Sequence, residues 1–175
     1  MIFAQALMLR YRGINAFVRG PEYTAFGTYY LVFAYAVLAC SFSWPFPPFM
    51  GQELWRSPAM SWAGIPLCLA GTAGYGLCIA SLKDSFRIGI DANTPGRLIT
   101  GGIFRYSRNP LYLSLLTLYL GLLLVFANAA MAVNLGISVF LILRQIFREE
   151  KFLFQRHGEE YAAYCRKTRR FFGRC

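Results

Sequence analysis

The chain has 175 residues, of which 57% are hydrophobic and only 15% are charged, whereas charged residues make up about 25% of an ordinary soluble domain. This composition argues against an ordinary soluble protein, and the aromatic share of 17% leaves room for short disordered tails at most. The net charge of +10 alone would be compatible with nucleic-acid binding, but the charges are not distributed in that way, and no nucleic-acid partner is predicted.

The N-terminal segment, residues 1–18, places apolar side chains before two arginines, Arg10 and Arg12. A secretory signal has its positive charges before the apolar stretch and a small-residue cleavage site after it, and neither feature is present. The pattern instead predicts an interfacial helix that lies in the plane of the lipid headgroups.

Three stretches of the chain carry no charged side chain, and each is longer than the roughly 20 residues that one helical crossing of a bilayer needs. They lie between Glu22 and Glu53, Arg56 and Lys83, and Arg108 and Arg144. The third stretch would be roughly 50 Å long as one helix, so we expect two spans with a turn near Asn128. The predicted spans are residues 23–42, 62–82, 110–126 and 130–147. The alternative is three spans and a re-entrant segment.

The predicted fold is therefore an all-α integral membrane protein with about four transmembrane helices, the N-terminal interfacial helix and a C-terminal amphipathic cytosolic helix. Basic residues are concentrated before the first span, between the second and third, and after the fourth. Because cytoplasmic loops are enriched in Lys and Arg, both termini of this multi-pass protein are predicted to be cytoplasmic. We expect one membrane domain over residues 1–175, with scaffold helices in residues 1–82 and the functional half in residues 83–175.

The residues inside the predicted spans indicate packing and not transport. No Asp, Glu, Lys, Arg or His lies at the middle of a span, where such residues would mark ion or proton paths. The five cysteines lack the spacing of a metal site or a disulfide framework, and no metal is predicted. Four glycines of the second span are expected where helices approach closely. They are Gly64, Gly71, Gly74 and Gly76.

Polar residues are concentrated in two cytoplasmic regions, one before the third span and one after the fourth. Asn109 and Pro110 are typical of an N-cap and a first helical residue, so they could simply begin the third span. The same helix start presents free backbone N–H groups, which favour an anionic ligand. Glu149 and Glu150 could be a solvated helix end, or one of them could hold a hydroxyl or amine of a ligand. The hairpin of the last two spans would bring both regions together.

After the last span, apolar and charged residues alternate at helical spacing, which predicts an amphipathic cytosolic helix pair broken at Gly158. The single histidine, His157, is interpreted as a surface residue. The basic residues of the tail are predicted to bind anionic lipid headgroups. They are Arg166, Lys167, Arg169, Arg170 and Arg174.

Two motifs and the apolar hairpin between them resemble the C-terminal half of the isoprenylcysteine carboxyl methyltransferase family. The first motif is TGGIFRYSRNPLYL at residues 100–113, and the second is EEKFLFQRHGEEYAAY at residues 149–164. The superfamily also includes phospholipid methyltransferases and, more distantly, sterol reductases. The resemblance covers residues 84–172. It implies an integral membrane enzyme that transfers a methyl group from S-adenosylmethionine to a lipophilic small molecule or lipid entering from the bilayer.

By motif position, the resemblance implies a cofactor pocket formed by the last two spans, the preceding loop and the tail. The residues implied to bind the cofactor are Gly96, Arg97, Leu98, Ile99, Gly102, Phe104, Asn109, Pro110, Leu111, Tyr112, Glu149 and Glu150. The implied catalytic residues are Arg108 and Glu149, and the implied substrate-binding residues are Arg144, Gln145 and Arg148. Many relatives carry His at the position of Asn109, Tyr at that of Phe104 and Arg at that of Gln145.

Methyl transfer from a sulfonium requires alignment of the acceptor with the methyl group and needs no nucleophilic side chain, so the lack of a catalytic triad agrees with this chemistry. The acceptor stays open between a prenylcysteine-like carboxylate, an amine and a thiol, and the oligomeric state is also open. The alternatives from other classes are a membrane reductase of the sterol branch that uses NADPH, a transporter, and a non-enzymatic membrane scaffold.

Overall fold

The computed structural model describes Tyr35, residues 52–82 and residues 98–173. In these residues the regular secondary structure is helical, and isolated bridge residues include the antiparallel pair Glu53 with Asn128. The elements in chain order are α1 (Pro58–Leu82), a 3₁₀ helix (Gly102–Arg105), α2 (Pro110–Phe126) and α3 (Ala129–Lys167). The predicted interfacial helix and the predicted first span, residues 23–42, lie outside the described residues, except for Tyr35.

The helices α1 and α2 correspond to two of the predicted spans. α2 covers the predicted residues from Pro110 to Phe126. α1 begins four residues before its predicted start, because the Ser57 carbonyl accepts the N–H groups of Met60 and Ser61 and Pro58 suits the first helical position.

The helix α3 is longer than the predicted span and continues into the predicted amphipathic helix. Its one interruption is Gly158, whose φ of 49° and ψ of −120° belong to a region that residues with a Cβ rarely adopt. The predicted break at Gly158 is confirmed. The last predicted span and the first part of the amphipathic helix therefore form one continuous helix up to this residue.

Two of the described helices, α1 and α3, are long and apolar enough to cross a membrane. The 17 residues of α2 form a shorter apolar helix, which is about 25 Å long at about 1.5 Å per residue. The described part of the chain is thus consistent with an all-α membrane protein. The total of four spans and the division at residues 82 and 83 stay predictions.

The chain divides into two compact units. Of the described residues, the first unit contains 73–82, 98–113 and 143–173, and the second contains 35, 52–72 and 114–142.

In the second unit, α1 and α2 pack with their backbones close together. A Cβ added to Gly71 would lie 2.6 Å from the Leu118 backbone nitrogen, and one added to Gly121 would lie 2.7 Å from Cys68 Sγ. A Cβ at Gly64 would lie 2.7 Å from the Gly121 carbonyl oxygen. The close packing predicted for Gly64 and Gly71 is confirmed, and it is the small-residue packing typical of membrane helices.

The connection from α2 to α3 is a tight turn at Ala127 and Asn128, as predicted. The Asn128 Oδ1 accepts the N–H of Met131 at 2.9 Å, so Asn128 is the N-cap of α3. The segment before α1 pairs with this turn through two backbone hydrogen bonds. Leu54 donates to the Ala127 carbonyl at 2.7 Å, and Ala129 donates to the Gln52 carbonyl at 3.0 Å.

We expect the substitution Gly71→Ala to lower the free energy of unfolding by about 1–3 kcal/mol, because the added methyl group meets backbone atoms that cannot move aside. Gly136→Ala in α3 is the matched control, since no atom of the described residues outside its own helix lies within 4 Å of the added Cβ. The control should be neutral or up to about 1 kcal/mol more stable. Thermal unfolding in detergent measures both variants, and equal midpoints would contradict the close packing.

Candidate functional site

Four segments of the first unit meet in a polar cluster. They are the loop of residues 104–109, the first turn of α2, the part of α3 around residues 145–150, and the tail segment of residues 168–173. Each segment contributes side chains or backbone groups that are hydrogen-bonded to another. The cluster therefore has a defined geometry, although it is built from residues far apart in the sequence.

Asn109 connects the start of α2 to the rest of the cluster. Its carbonyl accepts the N–H of Leu113 at 3.1 Å, which is the N-cap position predicted for it. The Asn109 side chain points elsewhere, because Nδ2 donates to the Arg170 carbonyl at 3.2 Å and to Glu150 Oε1 at 3.4 Å. Only 7% of Asn109 is exposed, so this carboxamide is a buried link between α2, α3 and the tail segment.

Glu149 is hydrogen-bonded by two neutral donors. The Tyr112 hydroxyl donates to Glu149 Oε1 at 2.6 Å, and Gln145 Nε2 donates to the same oxygen at 2.8 Å. The structure thus brings together three residues that the resemblance placed in the site. Both hydrogen bonds orient the carboxylate, and neither partner neutralises its charge.

Glu150 is held by cations. Arg170 Nη2 donates to Glu150 Oε2 at 2.7 Å, and Arg170 Nε lies 3.1 Å from both carboxylate oxygens. Arg108 Nη2 forms a further ion pair at 3.6 Å. Hydrogen bonding to Glu150 raises the pKa of Arg170 above its ordinary value, so the Arg170 guanidinium is cationic at neutral pH. The Arg170 guanidinium also lies 4.8 Å from the centre of the Phe147 ring, a cation–π contact.

Arg108 carries a buried donor that has no acceptor among the described residues. Its Nη1 donates to Cys165 Sγ, and its Nη2 faces Glu150. The Nε atom is buried, and no acceptor for it lies within the described ranges. Because buried N–H groups nearly always have a partner, this atom is a candidate contact for an anionic group of a ligand.

The tail segment is fixed to the loop by main-chain and side-chain hydrogen bonds. Arg108 N–H donates to the Arg169 carbonyl at 3.0 Å, and Gly173 N–H donates to the Tyr106 carbonyl at 3.0 Å. The Ser107 hydroxyl donates to the Arg170 carbonyl at 3.3 Å. From α3, the Tyr164 hydroxyl donates to the Phe104 carbonyl at 2.6 Å. The loop is therefore shaped by residues that follow it by about sixty positions.

The resemblance implied further residues in the loop before α2, at the start of α2 and on α3. Gly102 is in the 3₁₀ helix with a φ of 59° and faces Ser81. Arg144 is exposed on α3, and Arg148 is half-buried. Leu98, Ile99 and Leu111 are half-buried, and Pro110 is buried at the start of α2. Gly96 and Arg97 lie outside the described residues. The roles of all these residues stay predictions.

Four residues of the cluster were not predicted from the sequence to lie in the site: Ser107, Tyr164, Thr168 and Arg170. Arg170 was grouped with the basic residues of the tail, which were expected at the headgroups, whereas the structure turns its side chain toward Glu150. One signal was present in the sequence. Two adjacent carboxylates at a helix that packs in the protein require a counter-ion, and the nearby tail is rich in arginine.

A comparison with protein-family models decides the classification. The model described as phospholipid methyltransferase matches residues 59–160, which is more than half of the chain. The chain belongs to the phospholipid methyltransferase family. This is an integral membrane methyltransferase family related to the isoprenylcysteine carboxyl methyltransferases, so the resemblance to that superfamily is confirmed. No curated protein and no solved structure matches the chain.

The match to the phospholipid methyltransferase family spans α1, α2 and the part of α3 that carries the carboxylate pair. Membership supports an enzyme that transfers methyl groups. Together with the two helices long enough to cross a bilayer, it also supports a membrane protein.

We expect Tyr164→Phe to lower the free energy of unfolding by about 1 kcal/mol, because it removes the hydroxyl that bonds the Phe104 carbonyl. Tyr106→Phe, in the same loop, is the control. Tyr106 is 56% exposed, and its hydroxyl has no hydrogen-bond partner among residues 52–82 and 98–173. Thermal unfolding in detergent compares the two variants, and an equal loss in both would show that the Tyr164 hydroxyl does not hold the loop.

Proposed function

We propose that this chain transfers a methyl group from S-adenosylmethionine to a lipid in the membrane, with the polar cluster as the cofactor site. Membership of the phospholipid methyltransferase family supports the reaction class. The observation that carries the site assignment is the geometry around Glu149, where residues implied by the resemblance converge on one carboxylate.

The donors and acceptors of the cluster fit the polar end of this cofactor. That end carries an ammonium group and a carboxylate. Among the described residues, Glu149 has only neutral partners, so its negative charge favours a cation. Arg108 Nε is a buried donor without an acceptor in the described part of the chain, and it suits a carboxylate. The cluster thus offers one group of each sign to a zwitterion.

The bound cofactor would supply a methyl group on a sulfonium, which is electrophilic without help from the protein. The chain then has to bind the cofactor and orient the acceptor toward its methyl group, because in-line transfer depends on the position of the acceptor. Tyr112 and Gln145 hold the Glu149 carboxylate in one orientation. Asn109 keeps the start of α2 against α3. We propose the other residues that the resemblance implied to bind the cofactor, apart from Glu150, as further lining of the cofactor pocket.

The acceptor that we favour is a phospholipid. The matched family is described by that substrate. Relatives that methylate a prenylcysteine are implied to carry an arginine where this chain has Gln145, and the Gln145 amide is engaged with Glu149. A carboxylate acceptor would therefore find no cation at that position. Arg144, exposed on α3, is proposed to contact the acceptor's anionic group, as is Arg148.

We further propose that the cluster opens to the cytosol and that both termini are cytoplasmic. The connections that flank the cluster in sequence carry most of the basic residues, and basic residues are retained on the cytoplasmic side. A cluster on that side would be accessible to a water-soluble cofactor.

The test is calorimetric titration of the detergent-purified chain with S-adenosylhomocysteine and, separately, with NADPH. We expect saturable binding of S-adenosylhomocysteine that is at least about ten-fold weaker in Glu149→Gln, because a charge-assisted hydrogen bond is lost. Glu160→Gln is the matched control, since Glu160 lies on the same helix but is exposed. Transfer of labelled methyl groups to phospholipid or prenylcysteine in mixed micelles then identifies the acceptor.

Three outcomes would contradict the proposal. Binding of NADPH but not of S-adenosylhomocysteine would indicate a reductase. Equal affinity of the Glu149→Gln and Glu160→Gln variants would place the cofactor elsewhere. Binding of neither compound by folded protein would indicate a non-enzymatic membrane scaffold.

A further inference from the structure

We propose that Arg170 is a positioning residue: it pairs with Glu150 and thereby attaches the tail segment to α3. Glu149 is then the one carboxylate of the pair that binds the cofactor. The proposal rests on the proposed function for the identity of the ligand. It assigns different tasks to two adjacent carboxylates and gives a role to an arginine that touches neither cofactor nor acceptor.

Glu149 and Glu150 differ in the charge of their hydrogen-bond partners. Glu150 is paired with the Arg170 guanidinium through three hydrogen bonds of 2.7 to 3.1 Å, and Arg108 lies 3.6 Å away. A carboxylate between two guanidinium groups carries no net negative charge into the site. Glu149 has two neutral donors instead. A cationic ligand is therefore attracted to Glu149 and not to Glu150.

Arg170 connects three segments of the first unit through its side chain and its carbonyl group. The Arg170 side chain bonds Glu150 on α3, and its carbonyl accepts hydrogen bonds from Ser107 and from the Asn109 side chain. One residue thus links α3, the loop of residues 104–109 and the N-cap of α2. Backbone bonds at Arg169 and Gly173 attach the rest of the tail segment to the same loop.

The adjacent residues Arg169 and Arg170 differ in the exposure and the partners of their side chains. Arg169 is exposed, and its side chain has no carboxylate partner within the described ranges. The Arg170 side chain is 38% exposed and lies over the Phe147 ring. A general role in contacting headgroups would give both arginines exposed side chains. The different placement indicates that Arg170 has a specific task within the protein.

Arg170 would influence cofactor binding indirectly, through the loop of residues 104–109. The loop carries Phe104, Arg108 and Asn109, which are proposed to line the cofactor pocket. When Arg170 is lost, the tail segment no longer fixes that loop, and the buried Arg108 Nε is no longer held in place. Arg170 would therefore affect cofactor affinity without contacting the cofactor.

Hydrogen–deuterium exchange of the full chain in detergent tests the attachment directly. In Arg170→Gln and in Glu150→Gln we expect exchange in peptides covering residues 105–109 and 168–173 to become about ten-fold faster, because their backbone hydrogen bonds open more often. Arg169→Gln is the matched control and should exchange like the wild type. Unchanged exchange in Arg170→Gln would overturn the attachment.

Titration with S-adenosylhomocysteine tests the division of tasks. We expect Glu150→Gln and Arg170→Gln each to weaken binding about five-fold, and the double variant to be no weaker than either within about two-fold, because both substitutions remove one interaction. Arg170→Lys keeps a cation opposite Glu150 but loses the two-nitrogen contact and the stacking on Phe147, so its affinity should lie between those of Arg170→Gln and the wild type.

If Glu150 itself bound the cofactor, Glu150→Gln would lose more affinity than Arg170→Gln, and the two losses would multiply in the double variant. That result would overturn the assignment of Glu149 as the sole carboxylate ligand. Failure of the wild type to bind S-adenosylhomocysteine would overturn the proposed function together with the ligand role of Glu149. The exchange experiment would still decide the attachment of the tail segment.

Discussion

Two adjacent carboxylates on α3 impose the constraint on which the first unit depends. A carboxylate removed from water is costly unless it is paired or hydrogen-bonded, and neighbouring residues on a helix point about 100° apart. Glu149 and Glu150 therefore need partners from different directions. The first turn of α2 supplies Tyr112 to Glu149, and the tail segment supplies Arg170 to Glu150. The arrangement of the loop and the tail segment allows Tyr112 to reach Glu149 and Arg170 to reach Glu150.

The features that the sequence predicted well depend on local chemistry. Pro110, Asn128 and Gly158 mark a helix start, a turn and a break. Pro110 and Gly158 act through their backbone preferences, and Asn128 acts through its side-chain oxygen. The glycines of α1 allow close packing because they lack a side chain. For the candidate site, the motifs placed Asn109, Tyr112, Gln145 and Glu149 in one pocket by family resemblance, and the described structure brings their side chains into one cluster.

Other features could not be predicted because they depend on contacts between distant segments. Arg169 and Arg170 are identical and adjacent, so no local pattern distinguishes the exposed one from the one paired with Glu150. The length of α3 was missed for a different reason. The apolar pattern ends at the charged residues after Arg144, but charges do not end a helix, and only Gly158 interrupts it.

The helix break at Gly158 has a consequence for how this part of the chain can vary in length. Each helical residue advances the chain by about 1.5 Å and rotates it by about 100°. Inserting or deleting one residue between Glu150 and Gly158 would therefore turn the following helical segment away from the loop. The number of residues between Glu150 and Arg170 must therefore stay constant for the two side chains to pair. In this segment, changes of residue type are tolerated more readily than insertions or deletions.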